Sequence, residues 1–294
     1  MIKVNGNTNL ILGGTNIGVY TFKSKQCILF DTGINNTSAR KVDNMLKSSG
    51  LKPRYIINTH HHSDHTGGNK YFYENYPGIE IYSSPICKVY VENEFLEPAI
   101  LYGGNPIKEL CNKGGCSKIH EVLEEGFIKV NDEKFQVLNL SGHAESQIGI
   151  ITPDRVCFVG DSIFSNEVLD KYSFPFLYNV EDTINSLKKL SEVDCDYFII
   201  SHSKDIINKE EFMSLIEKNI KNIGFYENQI LEILVQPLTK EDLMQNIIIL
   251  NELSLNIKQY FLDLSSLSGF LTYLKDKNLI NYSLEDGKVY YYVT

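Results

Sequence analysis

The sequence predicts an α/β protein with a smaller α+β segment at its C-terminus. Three observations carry that expectation. Short apolar, β-rich runs alternate with loops over the first two-thirds of the chain, and several of them end in Asp, Thr, Gly or His. After about Phe225 the texture becomes helical, and the chain closes on an alternating tail that turns at Asp286-Gly287. Strands running ahead of helices, with polar residues gathered just past the strand ends, describe layers whose chemistry sits on strand-end loops.

Taken in order, "NLIL", "GVYTFK", "CILFDTG" and "YIINTH" read as strands. Between two of them, "SARKVDNMLKSSG" has helical spacing. Val42, Met45 and Leu46 fall on one face, and Gly50 is the stop. "IEIYSS", "FQVLNLSG", "IGIIT", "VCFVGDS" and "YFIISHS" continue the strand pattern. "VEDTINSLKKLSEV" reads as an amphipathic helix entered through Asp182 or Thr183, with Ile184, Leu187 and Leu190 inward. The stretches "FLEPAILYGGNPIKELCNKGGCSK" and "SNEVLDKYSFPFLYNVED" lack clear periodicity and read as long loops. The first takes turns at Gly103-Gly104 and Gly114-Gly115. Beyond Phe225, "NQILEILV", "LTKEDLMQNIIILNELS" and "SSLSGFLTYLKDKNLI" predict three helices, with "TKED" and "SSLS" as N-terminal signals. "NYSLEDGKVYYYVT" predicts a hairpin. Three helices and a hairpin resemble a winged-helix domain, which divides the chain into residues 1–225 and 226–294. Winged helices often bind DNA, but the third helix here offers only Lys275 and Lys277, with Asp276 between them. Packing, or a homodimer formed through this segment, is the expectation.

Composition narrows the function classes. The formal net charge is −9, and Arg40, Arg54 and Arg155 are the only arginines. An acidic, arginine-poor chain does not attract phosphate backbones by bulk charge and lacks the usual bidentate anion clamps, so nucleic acid is not expected as a partner. None of the six cysteines forms C-x-x-C, and no disulfide is expected between Cys111 and Cys116. No stretch approaches the length of a membrane span. The N-terminal apolar run is too short for a signal peptide, so the expected location is cytoplasmic.

The informative stretch is "THHHSDHTGG", Thr59 to Gly68, which holds four of the seven histidines. Residues two apart in extended backbone point to the same side, so His60 and His62 can share a metal. Asp64 and His65 lie beyond, where a turn can aim them at a second one. Gly67 and Gly68 permit a tight backbone there. His61 should point away, as a surface or supporting residue. Three later strand ends carry His143 in "SGHAES", Asp161 in "VGDSIF" and His202 in "IISHSK". Only His61 and His120 stay outside the set, His120 beside a charged helical stretch on the surface.

The order H-x-H-x-D-H, then G-H, then G-D, then S-H resembles the metallo-β-lactamase superfamily, and within it the glyoxalase II-like hydrolases. "FDTG", with Asp31, fits as well, and the resemblance covers roughly residues 1–205. It implies an αββα sandwich with a two-metal site at one edge. His60, His62 and His143 would bind the first metal. Asp64, His65 and His202 would bind the second, Asp161 would bridge them, and Asp31 would orient a ligand by hydrogen bonding. Asp161 stands where true β-lactamases of the superfamily carry Cys, and His62 where the flavodiiron branch carries Glu. "SGHAESQ" replaces the commoner "PGHTPG".

Imidazole and carboxylate without thiolate suit two Zn2+ ions, and iron or manganese would also fit. Such a pair holds a hydroxide at neutral pH. That nucleophile would attack an electrophilic carbonyl, with Asp64 and Asp161 as the catalytic carboxylates. A small ester or thioester suits an acidic chain. A phosphodiesterase or ribonuclease would want basic walls, and an iron-dependent oxidoreductase of the same fold is the other alternative. Lys171, Tyr172 and Tyr178 follow Asp161 in a stretch that either caps the site or packs, with packing the simpler expectation.

Overall fold

The computed structural model describes residues 1–111 and 117–294. Two sheets lie face to face. The first has seven strands in sequence order: β1 Ile2–Asn5, β2 Thr8–Ile11, β3 Ile17–Thr21, β4 Gln26–Phe30, β5 Lys52–Ile57, β6 Glu80–Ser83 and β7 Glu121–Val122. The second has six: β8 Gly126–Val130, β9 Glu133–Asn139, β10 Ile148–Ile151, β11 Val156–Phe158, β12 Tyr197–Ile199 and β13 Ile207–Asn208. The strands β4 to β7 pair in parallel, as do β11 and β12. Every strand read from the sequence is present, while β1, β7, β8 and β13 are short edge or hairpin strands without a marked pattern.

Burial on both faces explains the unbroken "CILF" run of β4. Ile28 and Phe30 point between the sheets, where they join Tyr20, Phe135, Ile150 and Phe158. Cys27 and Leu29 point outward against the helix Asn36–Ser48, meeting Val42 and Leu46. A strand buried on both sides has no reason to alternate. The outer face of the second sheet, with Leu138, Cys157 and Phe198, is covered by the helices Val180–Glu192 and Lys209–Ile233. Helix, sheet, sheet, helix is the layer order expected from the resemblance.

Local signals explain several boundaries and correct others. The helix Asn36–Ser48 is capped by Asn35 and stops as predicted, with Gly50 at φ +67° and Leu51 N–H donating to the Leu46 carbonyl. Met45 is 40% exposed, however, and not part of the inward face. The helix Val180–Glu192 begins earlier than predicted. Asn179 is its cap, accepting from Asp182 N–H and donating to the Asp182 carboxylate, so Asp182 and Thr183 lie inside the first turn. The stretches read as loops contain the short helices Leu96–Tyr102 and Asn166–Lys171. Gly114-Gly115 and Cys116 lie outside the described residues; the five described cysteines are free thiols.

The C-terminal region is helical with a terminal hairpin. "NQILEILV" is the end of a 25-residue helix, Lys209–Ile233, which runs through position 225 without a break. Lys240–Leu250 starts at Thr239 as predicted. The last helix, Ile257–Asp276, starts at Asn256 and not at "SSLS", which lies within it. There Ser266 is buried and accepts a hydrogen bond from Leu177 N–H, so these serines dock the helix and do not begin it. The hairpin strands are β14 Ile280–Glu285 and β15 Lys288–Val293. Asp286 and Gly287 both take positive φ, as a two-residue turn of this hand requires. An isolated bridge joins Leu238 to Tyr291. Leu243, Met244, Leu267, Phe270 and Leu274 share one apolar cluster with the second sheet's outer face. Among the described residues no helix is long and apolar enough to cross a membrane.

Candidate metal centre

The seven residues singled out in the sequence converge at one edge of the sandwich. Extended backbone after β5 presents His60 and His62 together. A single helical turn, Ser63–Thr66, then carries Asp64 and His65. Gly67 and Gly68 have negative φ, so they are not required for backbone freedom. They are required by crowding: a Cβ on Gly67 would lie 2.1 Å from the Ile34 carbonyl oxygen, and one on Gly68 2.4 Å from that of Thr32. His143 comes from the loop after β9, Asp161 from the loop after β11 and His202 from the loop after β12.

The donor atoms fall into two groups. In the first, His60 Nε2 and His143 Nε2 each lie 3.0 Å from His62 Nδ1. The second comprises Asp64, His65, Asp161 and His202. Asp161 Oδ2 lies 3.4 Å from His65 Nε2, 3.3 Å from His202 Nε2 and 3.6 Å from His143 Nε2, so it touches both groups. Asp64 Oδ2 lies 3.2 Å from His202 Nε2 and accepts a hydrogen bond from Thr15 Oγ1.

The outer partners fix which ring nitrogen faces inward. His143 Nδ1 is 2.9 Å from the Phe176 carbonyl oxygen, and His202 Nδ1 is 2.7 Å from that of Gly14. A carbonyl only accepts, so both Nδ1 atoms carry hydrogen and both Nε2 atoms are turned to the centre. His65 Nδ1 donates to Asp31 Oδ2 at 2.8 Å. Asp31 also accepts from Thr59 N–H and Thr59 Oγ1, which gives it the supporting position expected of it. His65 Nε2 and Asp161 Oδ1 are buried without a hydrogen-bond partner. Lone pairs crowded together, with orphaned buried atoms among them, fit bound cations.

Electrostatics separate the groups. Burial pushes the His60, His62 and His143 imidazoles below their usual range, leaving neutral ligands. Burial acts the same way on His65 and His202, but the carboxylates of Asp161 and Asp64 outweigh it. His65 is raised well above its usual value and His202 to about 10. Burial also disfavours the charged forms of Asp64 and Asp161, yet the neighbouring imidazoles hold both low. At pH 7 the metal-free second group is therefore protonated on its histidines, and a metal must displace those protons. Loading a divalent metal at pH 7 should release about two protons per chain. The release is full below the raised pKa values and fades as the pH passes about 10. Calorimetric titration in buffers of different ionisation enthalpy measures it; loading without proton release would place the ions elsewhere.

A cavity of about 480 Å³ opens over the centre and includes Phe164, Phe176, Lys171 and Tyr172 in its walls. Tyr172 and Tyr178 are 39% and 44% exposed, so they stand at the rim and are not packed away. His61 lies outside both donor groups and is half-buried, its ring stacked on Tyr90. The stretch after His120 is strand and not helix. His120 precedes β7, and its Nδ1 accepts from Ile81 N–H along the sheet edge. Sequence reasoning missed the carbonyls of Gly14 and Phe176, and also Lys258, Gln259 and Leu262, which bring the C-terminal helix to the cavity wall. None of these leaves a local motif.

Residues 10–202 match the family model described as the metallo-beta-lactamase superfamily. Among curated proteins, the hydroxyacylglutathione hydrolase of Buchnera aphidicola subsp. Baizongia pistaciae is 27% identical over 70% of this chain and 69% of its own length. That of Prochlorococcus marinus (strain MIT 9312) is 25% identical over 59% of this chain and 61% of its own. A metallo-beta-lactamase family protein from Thermus thermophilus superimposes with a TM-score of 0.76 at 16% identity, covering 98% of this chain and 99% of that one. The last likeness is one of fold, and it extends through the C-terminal helices.

Proposed function

Because the chain belongs to the metallo-beta-lactamase superfamily, we propose that it is a dinuclear metal-dependent hydrolase acting on a small thioester. One observation carries the reading: two groups of inward-turned donor atoms joined by Asp161 Oδ2, which lies within 3.6 Å of imidazoles from both. His60, His62 and His143 would hold one ion; Asp64, His65 and His202 would hold the other. Zinc suits these ligands and a hydrolysis without electron transfer. When bound, such a pair supplies Lewis acidity and lowers the pKa of water towards 7.

The chain's own groups do the rest. Asp31 and the carbonyls of Gly14 and Phe176 hold three imidazoles in one tautomer. Thr15 Oγ1 donates to Asp64 Oδ2, the oxygen that also faces His65 and His202, and so holds the carboxylate where it would bind the second ion and would accept the nucleophile's proton. Phe164, Phe176 and Leu262 exclude bulk water from one side. Lys171 and Lys258 stand where the cavity meets a groove of about 750 Å³, and they suit a thiol half that carries negative charge. The curated relatives' name, hydroxyacylglutathione hydrolase, also describes a thioester with an anionic thiol half. We read the C-terminal segment as winged-helix-like and as a wall of the site.

The test is metal analysis followed by a panel of thioesters, a lactone, a phosphodiester and a chromogenic β-lactam. The expected result is about two zinc ions per chain and thioester hydrolysis that a chelator removes and zinc restores. Faster cleavage of the phosphodiester, oxygen consumption by an iron form, or thioester cleavage insensitive to chelation would each overturn the reading.

A further inference from the structure

The last helix, Ile257–Asp276, carries a buried carboxyl group that the proposed hydrolysis does not use. Asp263 is 2% exposed. Among the described residues its one hydrogen bond is accepted from Gln259 Nε2, at 2.7 Å and one turn earlier. Gln259 is the third residue of the helix, where a glutamine side chain usually reaches back to the N–H of the capping residue. Asn256 caps this helix by accepting from Gln259 N–H, but the Gln259 side chain is turned forward to Asp263 instead. Gln259 also lines the 480 Å³ cavity, beside Lys258 and Leu262.

The pairing decides which end of the amide is free. A carboxylate only accepts, so it takes the NH2 and leaves the carbonyl end. Gln259 Oε1 accepts no hydrogen bond among the described residues and is not sealed from solvent. On a residue that lines the cavity, that oxygen is a fixed acceptor available to a bound molecule. Burial raises the Asp263 carboxyl to about 6, against the lowering effect of the Gln259 bond. Above that value it is a carboxylate. Below it, the group carries a proton that it can donate to Gln259 Oε1, and the amide is no longer held one way. Tyr226, on the helix Lys209–Ile233, is close enough to feel the Asp263 charge; burial first, and that charge with it, raise its hydroxyl, which stays neutral in this range. No lysine, arginine or histidine pairs with Asp263 among the described residues.

We propose that Gln259 is a specificity-determining residue whose Oε1 accepts a hydrogen bond from an uncharged N–H donor on the thiol half of the substrate, and that Asp263 is the positioning residue that holds the amide in that sense. The choice of the thiol half follows from Lys258 beside it and rests on the thioesterase reading; the orientation of the amide does not. A fixed acceptor rejects an analogue that presents an acceptor in the same place, because two sets of lone pairs then face each other.

The experiment uses the zinc-loaded full chain and butyryl thioesters of two thiols, N-acetylcysteamine and N-acetyl-4-aminobutanethiol. Each is paired with the acetate ester that replaces its amide N–H with oxygen. The ratio of kcat/KM within a pair cancels pH effects on the metal centre that both substrates share. At about pH 7.5 wild type should favour the amide by roughly tenfold in at least one pair. The ratio should fall towards one as the pH drops through about 6. Gln259→Leu should hold the ratio near one throughout. Asp263→Asn keeps the volume and can bond either end of the amide, so it should lower the ratio above pH 6 and remove its pH dependence. A merely structural role for Asp263 would alter both substrates alike and leave the ratio unchanged. A wild-type ratio near one in both pairs, a ratio that does not respond to pH, or a ratio that survives Gln259→Leu would overturn the proposal. If no thioester is cleaved, calorimetric binding of the matched S-butyl thioethers decides it. An amide preference that Gln259→Leu removes supports the acceptor while the thioesterase reading falls. Equal binding within each pair, or binding of neither, overturns both.

Discussion

Asp161→Asn should lower thioester hydrolysis at least 100-fold, taking about 100-fold as the upper end for losing a supporting partner alone, and should reduce bound metal from about two ions towards one. Among the described residues, Asp161 is the one carboxylate recorded within 3.6 Å of imidazoles from both donor groups. Asparagine keeps its volume but removes its charge, and it turns either an amide NH2 or a weaker carbonyl oxygen to the centre. The oxygen that would join the two ions is lost while the fold around it is spared. Without the Asp161 charge, His65 and His202 also lose the largest influence that raises them, so proton release on loading should shrink in the same variant. Metal content and turnover measured together check this. Wild-type turnover in Asp161→Asn would remove the residue from the reaction.

Asp31→Ala should destabilise the protein by about 3–5 kcal/mol, the range for removing one partner of a buried charged pair. Asp31 is 2% exposed and accepts from Thr59 N–H, Thr59 Oγ1 and His65 Nδ1. Alanine leaves Thr59 N–H buried without its acceptor and leaves Thr59 Oγ1 and His65 Nδ1 only the longer contacts among Thr59 Oγ1, His60 Nδ1 and His65 Nδ1 at 3.1 and 3.4 Å. It also places a residue poorly suited to positive φ at a position where φ is +64°. Asp31→Asn tolerates that backbone and keeps one acceptor, so it should cost less, about 1–2 kcal/mol. It should still weaken metal binding about 10–100-fold, because His65 loses the carboxylate that fixes its tautomer. Denaturant midpoints give the first effect and competition with a chromophoric chelator the second. A cost below about 1 kcal/mol for Asp31→Ala would show that Thr59 and His65 find other partners.

The centre was legible because its donors are local to strand ends, and strands are legible from short apolar runs. Four of the seven donors fall within six residues, and each of the other three follows its own strand. Helix starts were less legible, because several side chains within one turn can cap and tertiary fit selects among them. Asn179 wins over Asp182 because the two bond each other reciprocally. "SSLS" reads like a helix start only until Ser266 is seen against Leu177. The change of texture at Phe225 is not an end of the helix, whose buried side chains before and after that position join one apolar cluster. The carbonyls that orient His143 and His202 are invisible in principle: every residue has a carbonyl, and only the fold decides which one lies beside an imidazole.

The docked serine ties the last helix to the segment that orients His143. Ser266, on the last helix, holds Leu177 N–H, and Gly269 on the same helix lets the Leu177 and Tyr178 carbonyls approach closely. The next residue upstream, Phe176, orients His143 through its own carbonyl. The position of the C-terminal helix and the affinity of the first metal group are thus linked quantities. Linkage is reciprocal: if the first donor group holds an ion, drawing that helix away would weaken the ion's hold, and the ion would resist the helix's departure by the same free energy.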